Sequence, residues 1–200
     1  MGSVLQIAAV THLLRARLQG AVAAGDLGGT LETEVTVSSL HPAALDDLAG
    51  GGALLNVFLL RVSQLRLRTP PSRGGEADPS PTLKVVLNYL VSARAADGFD
   101  AEVLLGEAMR EFEDTALLTP PMILGEAASE ALSLAPRSQL VAQALTRLGE
   151  QADPLRVMHQ DLDLAAMAAL WAALGTPLRP SVLYEISPVE LSRAAPGTTP

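Results

Sequence analysis

The sequence predicts an α+β fold: a mixed, mostly antiparallel β-sheet with helices packed on one face. Two long strand-like segments, 53–68 and 82–95, flank a Pro- and Gly-rich loop, which is the pattern of a β-hairpin. Helical periodicity stands before, between and after the strand patterns, in the order α, β, β, β, α, irregular, β, α, β. The 200 residues are 48% hydrophobic and 18% charged, which suits one core. No internal repeat is visible, and the chain reads as a single domain over 1–190 with a disordered tail at 191–200.

Residues 4–24 place Leu5, Ala8, Ala9, His12, Leu13 and Ala16 at helical spacing, and Gly25 to Gly29 stop that helix. TLETEVTVSS (30–39) alternates, with Leu31, Thr33, Val35 and Val37 on one face, as in a half-exposed strand. HPAALDDLAGGG (41–52) is loop or a short helical turn. ALLNVFLLRVSQLRLR (53–68) begins as an unbroken apolar run and ends in polar alternation, a strand that starts in the centre of a sheet and emerges into solvent. TPPSRGGEADPSP (69–81) is a loop. TLKVVLNYLVSARA (82–95) puts Leu83, Val85, Leu87, Tyr89 and Val91 on one face, and pairs antiparallel with the preceding strand.

Residues 96–118 read as a helix capped by Asp100, with Val103, Leu104, Leu105, Ala108, Met109 and Phe112 apolar, ended by Pro120-Pro121. Between 122 and 152 the pattern is weak: Met122 to Leu124 reads as an edge segment, and 137–149 as a short helix or covering loop. PLRVMHQDLD (154–163) is strand-like. Asp163 caps a helix through Leu174, stopped by Gly175, and VLYEISPV (182–189) is a final strand.

Composition excludes several chemistries. With no cysteine there is no disulfide, thiolate metal site or cysteine nucleophile. A net charge of −8, with few aromatics, is poorly matched to nucleic acid. The start, MGSVLQIAAVTHLLRARLQGAVAAG, lacks a basic n-region, and its first uncharged run is too short to span a bilayer, so the expectation is a non-secreted, cytoplasmic chain without membrane contact. G-x-S-x-G and Walker patterns are missing, the lone lysine Lys84 sits inside a strand, and GDLGG (25–29) and GGG (50–52) read as turns. No cofactor is implied.

One catalytic reading survives. On a strand, His159, Asp161 and Asp163 of HQDLD would point the same way and could hold a divalent metal for a small hydrolase. The competing reading is a strand running into a helix N-cap. His12 and His41 read as structural, and Glu107, Glu111 and Glu113 as a solvated helix face.

LWAALGTPLRPSVLYEIS (170–187) gathers the only tryptophan, Trp171, with Gly175, Pro177, Arg179, Pro180, Ser181 and Tyr184. Gly175 permits a reversal, Pro180 pushes Arg179 toward an extended backbone, and the buried indole anchors the turn: a rigid corner feeding the last helix into the last strand. The pattern LW-x-x-LG-x-x-x-RPS-x-x-Y, together with LLNVFLLRV (54–62), LKVVLNYLVSA (83–93) and LLGEAMREFED (104–114), resembles the tail-terminator, or cap, proteins of extracellular contractile injection systems, which are phage-tail-like particles. That resemblance implies a structural, non-enzymatic role: a homohexameric ring at the tail end far from the baseplate, contacting the last layers of inner tube and sheath. A generic adaptor in the same particle is an alternative. For ring or axial contacts the candidates are the hairpin arm, with Gln64, Arg66, Arg68 and Arg73, and strand 30–39 as an edge for strand addition.

Overall fold

A computed structural model of the protein describes residues 5–45, 52–65, 83–151 and 153–191. The chain opens with α1 (Gln6–Ala24), whose buried stripe is Ala9, Val10, Leu13, Leu14, Leu18, Ala21 and Val22. Ala8, expected to face inward, is exposed. Apolar residues occur around most of α1, so spacing alone does not fix which side meets the sheet.

The strand expected over 30–39 is shorter. Residues Leu27–Thr30 form a single helical turn, α2, entered through Asp26 at φ 45, and Glu32 also has positive φ, 51. Only Val35–Ser38, β1, is extended. The alternation still chose inward side chains correctly at Val37, buried, and at Leu31 and Val35, packed against the core.

β2 (Ala53–Gln64) and β3 (Leu83–Arg94) form the expected antiparallel hairpin, in register from Leu54↔Arg94 to Gln64↔Val85 with an irregularity between Leu59 and Arg61. β2 is buried from Ala53 to Val57 and exposed by Arg61, as the change from apolar run to alternation foretold.

α3 (Gly98–Asp114) is capped by Asp97, whose carboxylate accepts from the Phe99 amide at 2.9 Å. The expected cap, Asp100, lies inside the first turn, where its charge suits the positive end of the helix. Leu117–Leu118 then leave the helix as β4. Pro120-Pro121 do not end a helix but begin one, α4 (Pro120–Ala131), and Pro136 opens α5 (Pro136–Gly149). Proline fits there because the first-turn amides have no intrahelical acceptor. The edge segment expected at Met122 to Leu124 is therefore helical. α4 packs on α5 at Gly149, where a Cβ would stand 2.8 Å from the Leu124 side chain.

β5 (Leu155–Gln160), α6 (Leu164–Ala173) and β6 (Ser181–Leu191) complete the fold. Sheet order is β1-β2-β3-β6-β5-β4, with only the β1–β2 pair parallel. One face carries Leu55, Val57, Leu87, Tyr89, Val91, Tyr184 and Ile186, in one cluster with α1, α3, α4 and α5 residues such as Leu14, Phe112, Ile123 and Leu148. The reverse face of β2 and β3 is also buried, at Leu54, Asn56, Leu90 and Ser92, and short α6 lies at the end of β6 on that side. β6 runs through Leu191, so the first residue of the tail expected over 191–200 is strand instead, and 192–200 lie outside the described residues.

Candidate functional site

The corner begins at Asp163, whose Oδ1 accepts from the Ala166 amide at 2.8 Å and starts α6 as expected. α6 ends at Ala173 with Leu174 as its C-cap, and Gly175 takes φ +69, a left-handed value that costs glycine little. Trp171 is 1% exposed, and its Nε1–H donates to Ser181 Oγ at 3.0 Å. The Arg179 guanidinium carbon stands 6.0 Å from the indole centroid, within cation–π range. Its nitrogens donate to Thr176 Oγ1 at 3.1 Å and, at 3.5 Å, to the carbonyl of Pro42. The Ala93 amide donates to the Pro180 carbonyl at 3.1 Å, which fixes the loop to the end of β3.

Trp171, Gly175, Arg179, Pro180 and Ser181 therefore come together, and Tyr184 does not join them. Three positions beyond Ser181 on one strand, it faces the opposite side of the sheet. There it meets Phe112 edge-to-face at 4.9 Å and His159 at 5.7 Å. Burial, and secondarily the Glu113 charge, pushes its phenol above the ordinary tyrosine value.

Sequence reasoning gave no role to Asn56, which is 0% exposed. Its Oδ1 accepts from Ser38 Oγ at 2.6 Å and the Leu40 amide at 3.1 Å, and its Nδ2 donates to the Leu40 carbonyl at 3.0 Å. Asn56 thus clamps the end of β1 and the segment after it onto β2. A lone carboxamide inside LLNVFLL is the signal: it must find partners when buried. His41 is structural, as expected. It caps the 3₁₀ turn Pro42–Ala44 by accepting from the Ala43 amide at 3.3 Å, and stacks edge-on against Phe58 at 5.2 Å. β1 is the last strand on its side of the sheet, so its outer edge pairs with no strand among the described residues.

On the hairpin arm, Gln64 is exposed at the end of β2, whereas Arg66, Arg68 and Arg73 lie outside the described residues. Lys84, inside β3, bridges Glu190 at 2.8 Å and Asp153 at 2.9 Å, and hydrogen bonds to Glu190 and then Asp153 hold its ammonium above the ordinary lysine value.

The proposed metal triad does not form. β5 ends at Gln160, so the strand alternation meant to align His159, Asp161 and Asp163 stops short. Asp163 is committed to the α6 cap, and Asp161 is fully exposed, 3.6 Å from His159 Nδ1. The glutamate face also differs from expectation. Glu111 pairs with Arg17 across α3 and α1, at 2.9 Å to Nε and 2.6 Å to Nη2, and Glu107 pairs with Arg110. Neither is placed as an acid/base partner of the other.

Residues 7–200 match the family model described as the Pvc16 N-terminal domain. The chain belongs to the Pvc16 N-terminal domain family. No curated protein sequence matches it significantly. Among solved structures, its fold is similar to the cryo-EM structure of the sheath/tube terminator of PVC, an extracellular contractile injection system, in the extended state, with TM-score 0.58 and 18% identity over 97% of this chain. The tube-terminating cap of the anti-feeding prophage is a weaker match, with TM-score 0.47 and 19% identity over 83% of this chain. The chain spans 60% of the length of the first and 51% of the second. The Pvc16 N-terminal domain match takes in 54–62, 83–93, 104–114 and the corner, the segments that carry the resemblance in the sequence.

Proposed function

We propose that this protein is a structural terminator of a contractile injection system: a ring on the tail end distal to the baseplate that stops growth and holds the extended sheath in register. The observation that carries this reading is the Pvc16 N-terminal domain match over residues 7–200. The terminator-like fold over 97% of the chain supports it.

The architecture suits the task. A closed ring needs two different lateral surfaces on each subunit, because its contacts are head-to-tail. The open edge of β1 and the far end of the β2–β3 arm lie in different parts of the molecule and would supply such surfaces, toward a neighbouring copy, the sheath protein or the inner tube protein. Six copies is the number that the tail symmetry of the family implies. The role is non-enzymatic, the particle assembles in the cytoplasm, and no nucleic acid or membrane takes part. No helix among the described residues is long and apolar enough to cross a membrane.

Electron microscopy of particles from producer cells lacking this protein tests the reading. Tails of uncontrolled length, or none that are stable, are expected, with normal length restored by re-supplying the full chain. Tails of unchanged length with intact extended sheath would overturn it.

A further inference from the structure

His12 lies on α1 opposite α4. Its Nε2 is shielded from solvent and has no hydrogen-bond partner among the described residues. Two carboxylate oxygens nevertheless face it: Glu130 Oε1 at 3.1 Å and Glu126 Oε1 at 3.7 Å. The nearer is at hydrogen-bond distance but off the line along which a ring N–H donates.

Glu126 and Glu130 are four residues apart on α4 and so share one helix face. One ligand atom from each of the three side chains falls within a 4.8 Å group. Around a tetrahedral zinc-type ion, ligand atoms at about 2.0–2.1 Å from the metal stand about 3.3–3.4 Å apart. The observed 3.1 and 3.7 Å separations bracket that value. We propose that His12, Glu126 and Glu130 form a binding site for a divalent transition-metal ion, with zinc as the type case.

Neutral imidazole favours zinc, cobalt or nickel over magnesium and calcium, which prefer six or more oxygens. Two carboxylates neutralise the ion's charge, and a water completes four-coordination. The side chains are 14%, 26% and 22% exposed, so the cluster lies near the surface although the imidazole nitrogen itself is shielded. The ion's effect is structural: it ties α4 to α1, which is anchored in the core by Leu13 and Leu14. This inference does not depend on the terminator role.

The test uses the purified full chain after EDTA treatment. Equilibrium dialysis against ZnCl₂ is expected to leave about one ion per chain. Zinc at about a hundred times its dissociation constant is expected to raise the melting temperature by about 5–10 °C, reversed by EDTA. The double variant E126Q/E130Q and the variant H12Q lose both effects, while H159A keeps them. Absence of stoichiometric zinc, binding unchanged in E126Q/E130Q, loss in H159A, or an equal shift with MgCl₂ would each overturn the proposal. Should the α4 variants fail to fold, Co²⁺ on the native chain decides: intense visible bands of a four-coordinate ion are expected, and only the weak bands of hydrated cobalt would refute the site.

Discussion

Replacing Asn56 by alanine tests the claim that one buried carboxamide holds the edge strand to the sheet. Three hydrogen bonds vanish, one from the Ser38 hydroxyl and two with the Leu40 backbone. The losses are unequal. Ser38 is 8% exposed, so its hydroxyl is stranded, at a cost of about 1–3 kcal/mol. Leu40 is 45% exposed, so its amide and carbonyl can turn to water, and each lost bond costs about 0.5 kcal/mol. The hydrogen-bond losses alone sum to about 2–4 kcal/mol, so N56A should destabilise the domain by at least about that much, a large share of the about 5–15 kcal/mol typical of a domain. Urea unfolding followed by circular dichroism measures this, with an unchanged slope expected. In S38A the carboxamide keeps both Leu40 bonds, so that variant should lose about 1 kcal/mol. In S38A/N56A nothing is stranded, so the double loss should fall short of the sum by about 1 kcal/mol or more. Hydrogen exchange should quicken at Val35 to Ser38 and stay slow in the middle of β3. An N56A loss below about 0.5 kcal/mol, or strict additivity with S38A, would refute the clamp.

Trp171→Phe removes the indole donor to Ser181 and part of a fully buried ring, and should lower the melting temperature by about 3–8 °C, read by circular dichroism because the variant has no tryptophan left. Stability should fall in alkali. Tyr89, buried and sharing a hydrogen bond with Thr11, has its pKa raised from 10.0, chiefly by burial. Lys84 is raised from 10.5, chiefly by its bond to Glu190. Raised native values mean that the native state holds protons longer than the unfolded chain, so the stabilisation is complete below about pH 10 and is lost as the pH climbs toward the native values. Urea midpoints should fall above that pH, by up to about 1.4 kcal/mol per unit for the buried phenol, and Tyr89→Phe should flatten the decline. A pH-independent midpoint in alkali would contradict the burial of that hydroxyl.

The hairpin, the inward face of β3 and the corner were legible because each is written locally. A run of β-branched and apolar residues, a Pro/Gly loop and an Asp-to-Gly-bounded helix need no distant partner to be read. The segment 122–152 was not, and Pro120-Pro121 shows why. Two prolines fit either side of a helix boundary, and only the docking of Leu124 against Gly149 decides that a helix begins there. Asp97 and Asp100 likewise offer equal capping chemistry, and the extended backbone at Asp97 chooses between them. The failed His159 triad rested on strand alternation continued three residues past the true end of β5. Asn56 and the His12 cluster were hidden for a different reason. Their partners come from elements 16 and more than 110 residues away in sequence, so only the fold brings them together.

Together the contacts on the reverse face link two features that the sequence presents separately. Trp171 holds Ser181 at the start of β6, Arg179 beside it reaches the Pro42 carbonyl, His41 before Pro42 packs on Phe58, and Asn56 two residues earlier on β2 fixes Leu40. The corner and the edge strand are thus successive links in one network across the sheet. Strain applied to β1 passes into β2 through the carboxamide and into β6 through the guanidinium, without crossing the main helical layer. A subunit whose open strand edge binds a neighbour or a filament tip needs that edge held at a fixed angle to its own core, since an edge free to swing would lose affinity to ordering entropy at every contact. Trp171 and Phe58 lie on this network, whereas Tyr89, Tyr184 and Phe112 pack in the main core on the other face. The W171F variant should therefore quicken exchange in β1 as well as at the start of β6, and quickening confined to β6 would mean that the two features are independent.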